Sequence, residues 1–260
     1  MDEMNRLAEI AIVAARAAGK VILSFYKHEV DISIKGDGSP LTIADKFSHE
    51  TIVGLLTKTG IPIVSEEAKE LSFHSNYYWL IDPLDGTKDF LAANDEFTIN
   101  IALIKNDTPI LGVLYAPALN ELYLGIPGKC IWRELNGERA DCIALPKFNQ
   151  LRMAKSRFHD HPDADLFAKA NRIEIYKPIG SALKFGRLAM GEVDVYPRFA
   201  GSSEWDTAAG QAVLEAAGGT MIDLNTKQPV GYSKPKRRNP HFLAFRSAYR
   251  LPDFIMDNLL

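Results

Sequence analysis

The stretch WLIDPLDGTKDF, Trp79 to Phe90, places two acidic side chains directly behind an apolar run. Asp82 ends that run and Asp85 follows three residues later. On a continuing strand, residues three apart project to opposite faces of the sheet. Because Pro83 and Gly86 are residue types that interrupt strands, we expect the strand to stop after Asp82 and turn, so that both carboxylates point into one space.

The residues behind the two acids are typical of a helix start. Thr87 stands at the position of an N-cap, directly before KDFLA. The free backbone N–H groups of a helix start, here those of Gly86 and Thr87, suit an anion such as phosphate. Two carboxylates beside a phosphate require hard divalent cations between them. Since neither His nor Cys lies close to this stretch, the donor types favour magnesium over zinc.

Acidic side chains occur in comparable positions at two further places. SEE, Ser65 to Glu67, follows the apolar run IPIV, and EWDTAAGQAVLEAAGG places Asp206 in the first turn of a strongly patterned helix. Any one of these acids is ordinarily explained by turn formation or by the helix dipole. Three such sites in one chain favour a shared metal site over three unrelated local structures.

Composition limits the class of protein. The 260 residues contain 30 Lys plus Arg and 33 Asp plus Glu, a formal balance of −3, which does not indicate a nucleic-acid-binding protein. The two cysteines, Cys130 and Cys142, form no CxxC pair and fit a reducing compartment. The N-terminal MDEMNRLAEI is acidic where a signal peptide is basic, and the apolar stretch after it is interrupted by charges. We therefore expect a cytoplasmic protein without a membrane span.

Hydrophobic periodicity predicts an α+β first part. Apolar residues at helical spacing predict an amphipathic helix over Leu7 to Phe25 and a second helix over Thr42 to Leu56, with Asp45 near its start. Five short apolar runs then predict strands, namely IPIVSEE, YYWLID, FTINIALI, PILGVLYAP and ELYLGIPG. NDTP, Asn106 to Pro109, is expected to form a hairpin turn between two of them.

After about Leu151 the pattern changes to α/β. The runs RIEIY, DVYP, GTMID and HFLAF alternate with predicted helices over 164–170, 181–190 and 205–217. We therefore place a boundary near Pro146, between an α+β subdomain of residues 1–146, which carries most of the candidate metal ligands, and an α/β subdomain of residues 147–260.

At this point the chain resembles the lithium-sensitive, magnesium-dependent phosphatases of the inositol monophosphatase superfamily. The matching pieces occur in the same order over most of the chain from Lys35 to Ala244: KGDGSPLTIAD, PIVSEE, YYWLIDPLDGTKDF, EFTINIALI, GSALKFGRLAMGEVDVYPRF, SEWDTAAGQAVLEAAGG and NPHFLA. The resemblance implies an α/β fold, the layered α-β-α-β-α sandwich of the inositol monophosphatase and sugar phosphatase type.

Within that superfamily the chain most resembles the CysQ-type 3′(2′),5′-bisphosphate nucleotidases. The pieces TKDF, GSALKFG and YPRF carry this finer resemblance, since inositol phosphatases more often show TNF after the aspartates and lack the other two. The activity it implies is hydrolysis of the 3′-phosphate of adenosine 3′,5′-bisphosphate to leave AMP, with two or three Mg²⁺ ions. The expected partner is a small nucleotide bisphosphate; weak peripheral membrane association and the oligomeric state stay open.

The resemblance also implies roles for individual residues. One magnesium would bind Glu66, Asp82 and the backbone carbonyl of Leu84, and a second Asp82, Asp85 and Asp206. Asp45, Glu66 and Thr87 would orient the attacking water and accept its proton. The substrate-binding set that it implies is Glu66, Leu84, Asp85, Gly86, Thr87, Ser181, Lys184, Arg198 and Asp206.

Several basic residues have two interpretations at this stage. Without the resemblance, Lys184 and Arg198 would equally be a solvated helix face and a strand end, and Lys88 is either an anion ligand or plain surface. KPKRRNP, Lys234 to Pro240, either widens an electrostatic funnel or forms a solvated loop. His159 is more simply a surface histidine than a nucleotide ligand.

The sequence is also compatible with three other functions. An inositol or other sugar monophosphatase of the same superfamily would use the same metals, and a non-catalytic nucleotide-binding protein would keep the pocket without turnover. A phospho-aspartate phosphatase carries DxDGT after a strand, whereas this chain has DxxDGT, which displaces the second acid from the position that mechanism requires.

Overall fold

The computed structural model describes residues 2–28, 32–34, 40–68, 75–141, 146–158 and 161–256. Cys142, His159 and most of the predicted loop KGDGSP lie outside these ranges. The first part of the chain forms α1 (Glu3–Phe25), β1 (Ile32–Ile34), β2 (Pro40–Thr42), α2 (Ile43–Leu56), β3 (Ile63–Ser65), β4 (Tyr77–Asp85), α3 (Thr87–Leu91), β5 (Thr98–Lys105), β6 (Thr108–Ala116), β7 (Glu121–Ile126), β8 (Cys130–Leu135) and β9 (Glu138–Asp141). The later part forms β10 (Arg152–Ser156), α4 (Pro162–Ala170), β11 (Ile175–Ile179), α5 (Leu183–Ala189), β12 (Val195–Arg198), α6 (Ala208–Ala216), β13 (Thr220–Asp223) and β14 (Phe242–Phe245).

The first part contains a seven-stranded sheet in the order β3-β4-β5-β6-β7-β8-β9. β3 runs parallel to β4, and every other neighbouring pair is antiparallel. The two predicted helices and the five predicted strands are present, and the expected turn forms with Asn106 and Asp107 at positive φ. The hairpin β8–β9 was missed, because its residues are more polar and mostly exposed or half-buried.

The stretch from Asp82 to Asp85 does not leave the sheet, and the prediction that the strand stops after Asp82 is wrong. β4 continues to Asp85, but its register against β5 shifts: Asp82 pairs with Asn100 and Asp85 pairs with Thr98. Three steps on β4 therefore face two steps on β5, which is the signature of a β-bulge. Side chains alternate between the two faces of a sheet, and the extra residue shifts this alternation by one. Both carboxylates therefore lie on the same face of the sheet.

The later part forms a five-stranded sheet in the order β11-β10-β12-β14-β13. β10 is parallel to β11 and β12, while β14 is antiparallel to β12 and β13. The sequence pattern did not predict β10, and β11 begins at Ile175, three residues after the predicted strand start at Arg172. The final predicted helix begins later than expected, at Ala208, so Asp206 precedes the helix instead of lying in its first turn.

The elements stack in five layers, α-β-α-β-α. One cluster joins α1 and α2 to a face of the first sheet, a second joins the other face to α5, α6 and the second sheet, and a third joins the second sheet to α4. The predicted layered fold is therefore confirmed. The division at Pro146 stays a prediction: the first sheet ends at Asp141 and the second begins at Arg152, but α6 packs on both.

Close packing of α6 on the first sheet depends on two glycines. A Cβ added at Gly112 would overlap the backbone oxygen of Ala209, and one added at Gly125 would overlap the backbone of Val213. The missing side chains let the helix backbone approach the sheet directly. This approach sets the position of the segment before α6, which carries Asp206.

None of the helices within the described ranges is both long enough and apolar enough to cross a lipid bilayer.

We expect Gly112→Ala and Gly54→Ala to change stability in opposite directions. The first overpacks the contact with α6 and should cost about 1–3 kcal/mol in the free energy of unfolding. Gly54 lies inside α2, and no described residue outside its own helix turn comes within 4 Å of an added Cβ, so its replacement should stabilise the protein by about 0.5–1 kcal/mol. Urea denaturation measures both; equal stability of Gly112→Ala and wild type would contradict the packing described for α6.

Candidate active site

A cavity of about 350 Å³ opens where the two sheets and α6 meet. Its size falls in the range of small-molecule sites. The cavity is lined by every predicted metal and substrate residue, together with side chains that sequence analysis did not single out. The predicted residues in its wall are Glu66, Asp82, Leu84, Asp85, Gly86, Thr87, Ser181, Lys184, Arg198 and Asp206.

Four carboxylates from three separate segments share this cavity. The parallel pairing of Ser65 with Ile81 sets Glu66 beside Asp82, and the two carboxyl groups are hydrogen-bonded to each other. Asp85 reaches the same space through the bulge, and Asp206 comes from the turn before α6. The structure thus brings together acids that are up to 140 residues apart in the chain.

The acids strongly perturb one another. Burial and then the negative charges of Glu66, Asp85 and Asp206 raise the pKa of Asp82 well above its ordinary value. Burial and the charges of Asp85 and Glu66 raise the pKa of Asp206 to about 8. Protein groups alone therefore do not balance these charges at neutral pH. A positively charged partner is needed to keep them ionised together.

The donor set fits a hard divalent cation. It consists of carboxylate oxygens and the carbonyl of Leu84, and the described residues of the cavity wall contribute neither sulfur nor imidazole. Asn100 Oδ1, which is buried beside Asp85, has no hydrogen-bond partner within the described part of the chain. Within the described residues, no three His, Cys, Asp or Glu side chains are close enough together to coordinate one metal ion. The carboxylates of the cavity would therefore have to move closer to one another to bind an ion.

Asp85 also connects the two halves of the site. Its Oδ2 accepts hydrogen bonds from Asn100 Nδ2 on β5, at 3.1 Å, and from the backbone N–H of Ala182 just before α5, at 2.6 Å. Burial raises its pKa, and the charge of Lys184 and these donors oppose that rise. The loop that carries Ser181 is therefore held against the acidic strand.

Thr87, which lines the cavity, is paired with the buried Asp45. The Thr87 hydroxyl lies 3.3 Å from Asp45 Oδ1 and 3.4 Å from the carbonyl oxygen of Leu84. Asp45 is buried at the start of α2, where its other oxygen accepts from the backbone N–H and the hydroxyl of Thr42. The N-cap prediction for Thr87 is wrong: Gly86, at φ 87°, is the N-cap, and Thr87 is the first residue of α3. The left-handed backbone there is one that glycine adopts without strain.

Another part of the cavity wall is basic. Lys184 and Arg198 are buried, so their interpretation as a solvated helix face and strand end is wrong. Lys184 Nζ donates to the carbonyl oxygens of Ile179 and Ser181, and burial together with the charge of Arg198 lowers its pKa to about 8. The ammonium group is thus charged at neutral pH. It holds the loop at Ser181, which has a positive φ of 44°.

Several residues of the site carried no recognised signal in the sequence. Glu204 is fully buried and accepts hydrogen bonds from the backbone N–H groups of Ser233 and Lys234 and from the Arg237 side chain. The cluster KPKRRNP is therefore not simply a solvated loop, because an acid two residues before Asp206 anchors it. An acid so close to Asp206 was the available signal. Residues that line the cavity itself and carried no signal include Asp89, Arg157, Phe158, Ser202 and Ser203.

Comparison with known proteins agrees with this architecture. The chain matches the model of the inositol monophosphatase family over residues 3–244. A 3′(2′),5′-bisphosphate nucleotidase CysQ of Escherichia coli O6:H1 is 42% identical over 242 residues, which cover 88% of this chain and 95% of the relative. The crystal structure of CysQ from Bacteroides thetaiotaomicron has a TM-score of 0.81 at 36% identity, covering 92% of this chain and 97% of that one. An IMPase/NADP phosphatase complexed with NADP and Ca²⁺ has a TM-score of 0.76 at 18% identity, covering 95% and 93%.

The layered fold and the acid-lined cavity between its sheets thus define a class of α/β proteins rather than one activity. The family match over nearly the whole chain makes the assignment within that class: the chain belongs to the inositol monophosphatase family. Both the superfamily resemblance and the finer resemblance to the CysQ type are confirmed.

The acidic cluster should make stability fall as pH rises when divalent cations are removed. The folded protein holds the Asp206 proton up to about pH 8, whereas the unfolded chain releases it near 3.8. In EDTA this contribution to stability is complete below about pH 4 and is lost between pH 4 and 8. Urea denaturation across this range should show that slope, and Mg²⁺ should reverse it.

Asp206→Asn provides the test of this assignment, with Asp165→Asn as the control. Asp206→Asn should flatten the pH dependence in EDTA, because the raised pKa is removed. Asp165 lies on the exposed surface of α4 in an ion pair with Lys155, so its replacement should leave the slope unchanged. An unaltered slope in Asp206→Asn would show that Asp206 is not part of the repelling cluster.

Proposed function

We propose that this chain is a magnesium-dependent phosphomonoesterase that hydrolyses the 3′-phosphate of adenosine 3′,5′-bisphosphate to AMP and phosphate. The observation that carries the proposal is the division of one cavity into an acidic wall and a buried basic wall. A phosphate ester bound between them would meet cations on both sides. The identity with CysQ nucleotidases over most of the chain supports this substrate class.

The acidic wall would hold the metal ions. In this proposal Glu66, Asp82 and the Leu84 carbonyl bind one Mg²⁺, and Asp82, Asp85 and Asp206 bind a second, with a third ion at saturation remaining open. Bound Mg²⁺ neutralises phosphate oxygens and lowers the pKa of a bound water. The hydrogen bond from the Leu84 N–H to Asp82 Oδ1, at 3.1 Å, fixes the orientation of the carboxylate that the two ions would share.

Thr87 and Asp45 would orient the attacking water. The Thr87 hydroxyl donates towards Asp45 Oδ1, which leaves its oxygen lone pairs free to accept from a water in the cavity. The Thr42 donors hold Asp45 in this position. Asp45 and Glu66 would then take up the proton released when that water attacks phosphorus.

The remaining substrate contacts would come from both sheets. The backbone around Gly86 and Thr87 would face the phosphate that reacts, and Ser181, Lys184 and Arg198 would bind the nucleotide end. Because Lys184 and Arg198 are buried, their charges act on a bound phosphate with little screening by solvent. The charges of Lys184 and Arg198 already act on Asp85, where they oppose the rise in its pKa, and an anionic substrate group would add a second partner for these buried cations.

A substrate panel with Mg²⁺ titrated tests the proposed activity. Phosphate release from adenosine 3′,5′-bisphosphate should exceed that from inositol 1-phosphate at equal concentration and should disappear in EDTA. A clear preference for the inositol ester would indicate a sugar monophosphatase of the same family. Nucleotide binding without metal-dependent phosphate release would indicate a non-catalytic binding protein. Detection of covalently phosphorylated Asp82 would rule out direct attack by water and indicate a phospho-aspartate phosphatase.

Thr87→Val and Thr87→Ser form a matched pair for the role of the hydroxyl. Valine keeps the shape of the side chain but removes the oxygen, so kcat should fall by about 10²–10⁴-fold. Serine restores the oxygen and should keep most of the activity. Steady-state kinetics measures kcat for both variants; equal losses in the two would assign Thr87 a packing role instead.

A further inference from the structure

The basic cluster KPKRRNP places two consecutive arginines in different surroundings. Arg237 has a positive φ of 51°, a backbone conformation that turns the chain between the two side chains. Its guanidinium donates to Glu204 Oε2 and to the hydroxyl of Tyr78, both at about 3 Å. Arg237 thus anchors the loop to the fold, while Arg238 lines the cavity.

Arg238 is held by a built support. Its backbone forms an isolated antiparallel bridge with Ser203, and its Nη1 donates to Ser203 Oγ at 3.1 Å. The next residue, Asn239, is buried and donates through its side-chain amide to Ser202 Oγ, the Ser203 carbonyl oxygen and Thr207 Oγ1. These contacts restrict where the guanidinium of Arg238 can lie.

The guanidinium of Arg238 differs from the other arginines in the cavity wall. Arg157 is paired with Glu96 and lies 3.7 Å from Asp89, and Arg198 donates to the carbonyl oxygens of Ala200 and Gly201. Within the described residues, Arg238 forms no ion pair with a carboxylate, and only a serine hydroxyl accepts from it. Its side chain is exposed at the cavity, so most of its five N–H donors remain available to an anion.

Arg198 and Arg238 both contact the loop at 200–203. Arg198 Nη2 donates to the Gly201 carbonyl oxygen at 3.1 Å, and Arg238 Nη2 lies 3.7 Å from a Cβ built on Gly201. Gly201 carries no side chain at the point where the Arg238 guanidinium passes the loop. Two arginine forks beside one open loop suit a phosphate dianion.

We propose that Arg238 is a specificity-determining residue that binds the phosphate group that is not hydrolysed. It thereby selects nucleotide bisphosphates over monophosphates. This inference rests on the proposed function, because it assigns the second phosphate of that substrate to the loop at 200–203. It adds a contact from KPKRRNP to the substrate residues suggested by family resemblance.

Kinetics with two substrates tests the inference. Arg238→Gln should raise KM for adenosine 3′,5′-bisphosphate by about 10- to 100-fold, the loss of charge-assisted hydrogen bonds, with kcat changed by less than about twofold. It should leave kcat/KM for adenosine 3′-monophosphate, which lacks the second phosphate, unchanged. Equal losses on both substrates, or no loss on either, would overturn the inference.

Lys236→Gln separates a direct contact from a general field effect. Lys236 lies in the same loop, is exposed and does not line the cavity, so this variant removes the same charge at a distance. It should leave both substrates unaffected. A rise in KM equal to that of Arg238→Gln would show that the loop acts only through its net charge, against the specific role of Arg238.

Binding measurements separate failure of this inference from failure of the proposed function. Calorimetry with wild type should show AMP binding that weakens at least about tenfold in Arg238→Gln, while adenosine binding stays the same. If wild type hydrolyses the bisphosphate but AMP binding is equal in both proteins, the inference is wrong and the function stands. If wild type releases no phosphate but AMP binding depends on Arg238, the function is wrong and the phosphate site stands. Absence of both activity and AMP binding would overturn both.

Discussion

The structure depends on keeping four acidic side chains within reach of one another inside a cavity. Burial and mutual repulsion raise the pKa values of Asp82 and Asp206, so this arrangement is unfavourable without compensating positive charge. The fold maintains it by combining three rigid supports: the β3–β4 pair behind Glu66, the bulge in β4, and the close contact of α6 with the first sheet. Each support brings an acid from a different part of the chain. A site under this electrostatic stress is suited to binding cations, because cations relieve the repulsion.

The second half of the site balances the first. Acids come mainly from the seven-stranded sheet, whereas Lys184, Arg198 and Arg238 come from the later part of the chain. The hydrogen bond from the Ala182 N–H to Asp85 joins the two halves directly, and the ion pair between half-buried Arg187 and buried Glu121 joins α5 to β7. The cavity thus lies where oppositely charged walls meet. This placement lets a phosphate ester be bound between metal-binding acids and fixed basic groups.

The errors of the sequence analysis share one physical cause. Pro83 and Gly86 correctly indicated an irregular backbone, but the irregularity is a bulge within β4, which only the pairing with β5 reveals. Asp206 stands before α6 and Thr87 inside α3, since helix ends are set by caps and tertiary contacts as well as by apolar spacing. The burial of Lys184, and the divergence of Arg237 from Arg238, depend on contacts with residues that are distant in sequence.

The sequence by itself determined an α+β part followed by an α/β part and acids at three strand-end or helix-start sites, because hydrophobic periodicity and acids at the ends of apolar runs are local patterns. The layered sandwich and the individual metal ligands were implied by the family resemblance. The sequence also indicated the family, through ordered motifs spread over most of the chain. Only the tertiary structure decided that Asp82 and Asp85 share one side of a strand, that Glu204 anchors a basic loop, and that Arg238 reaches the cavity. Strand register, burial and charge pairing are relations between distant segments, and they exist only once those segments have packed together.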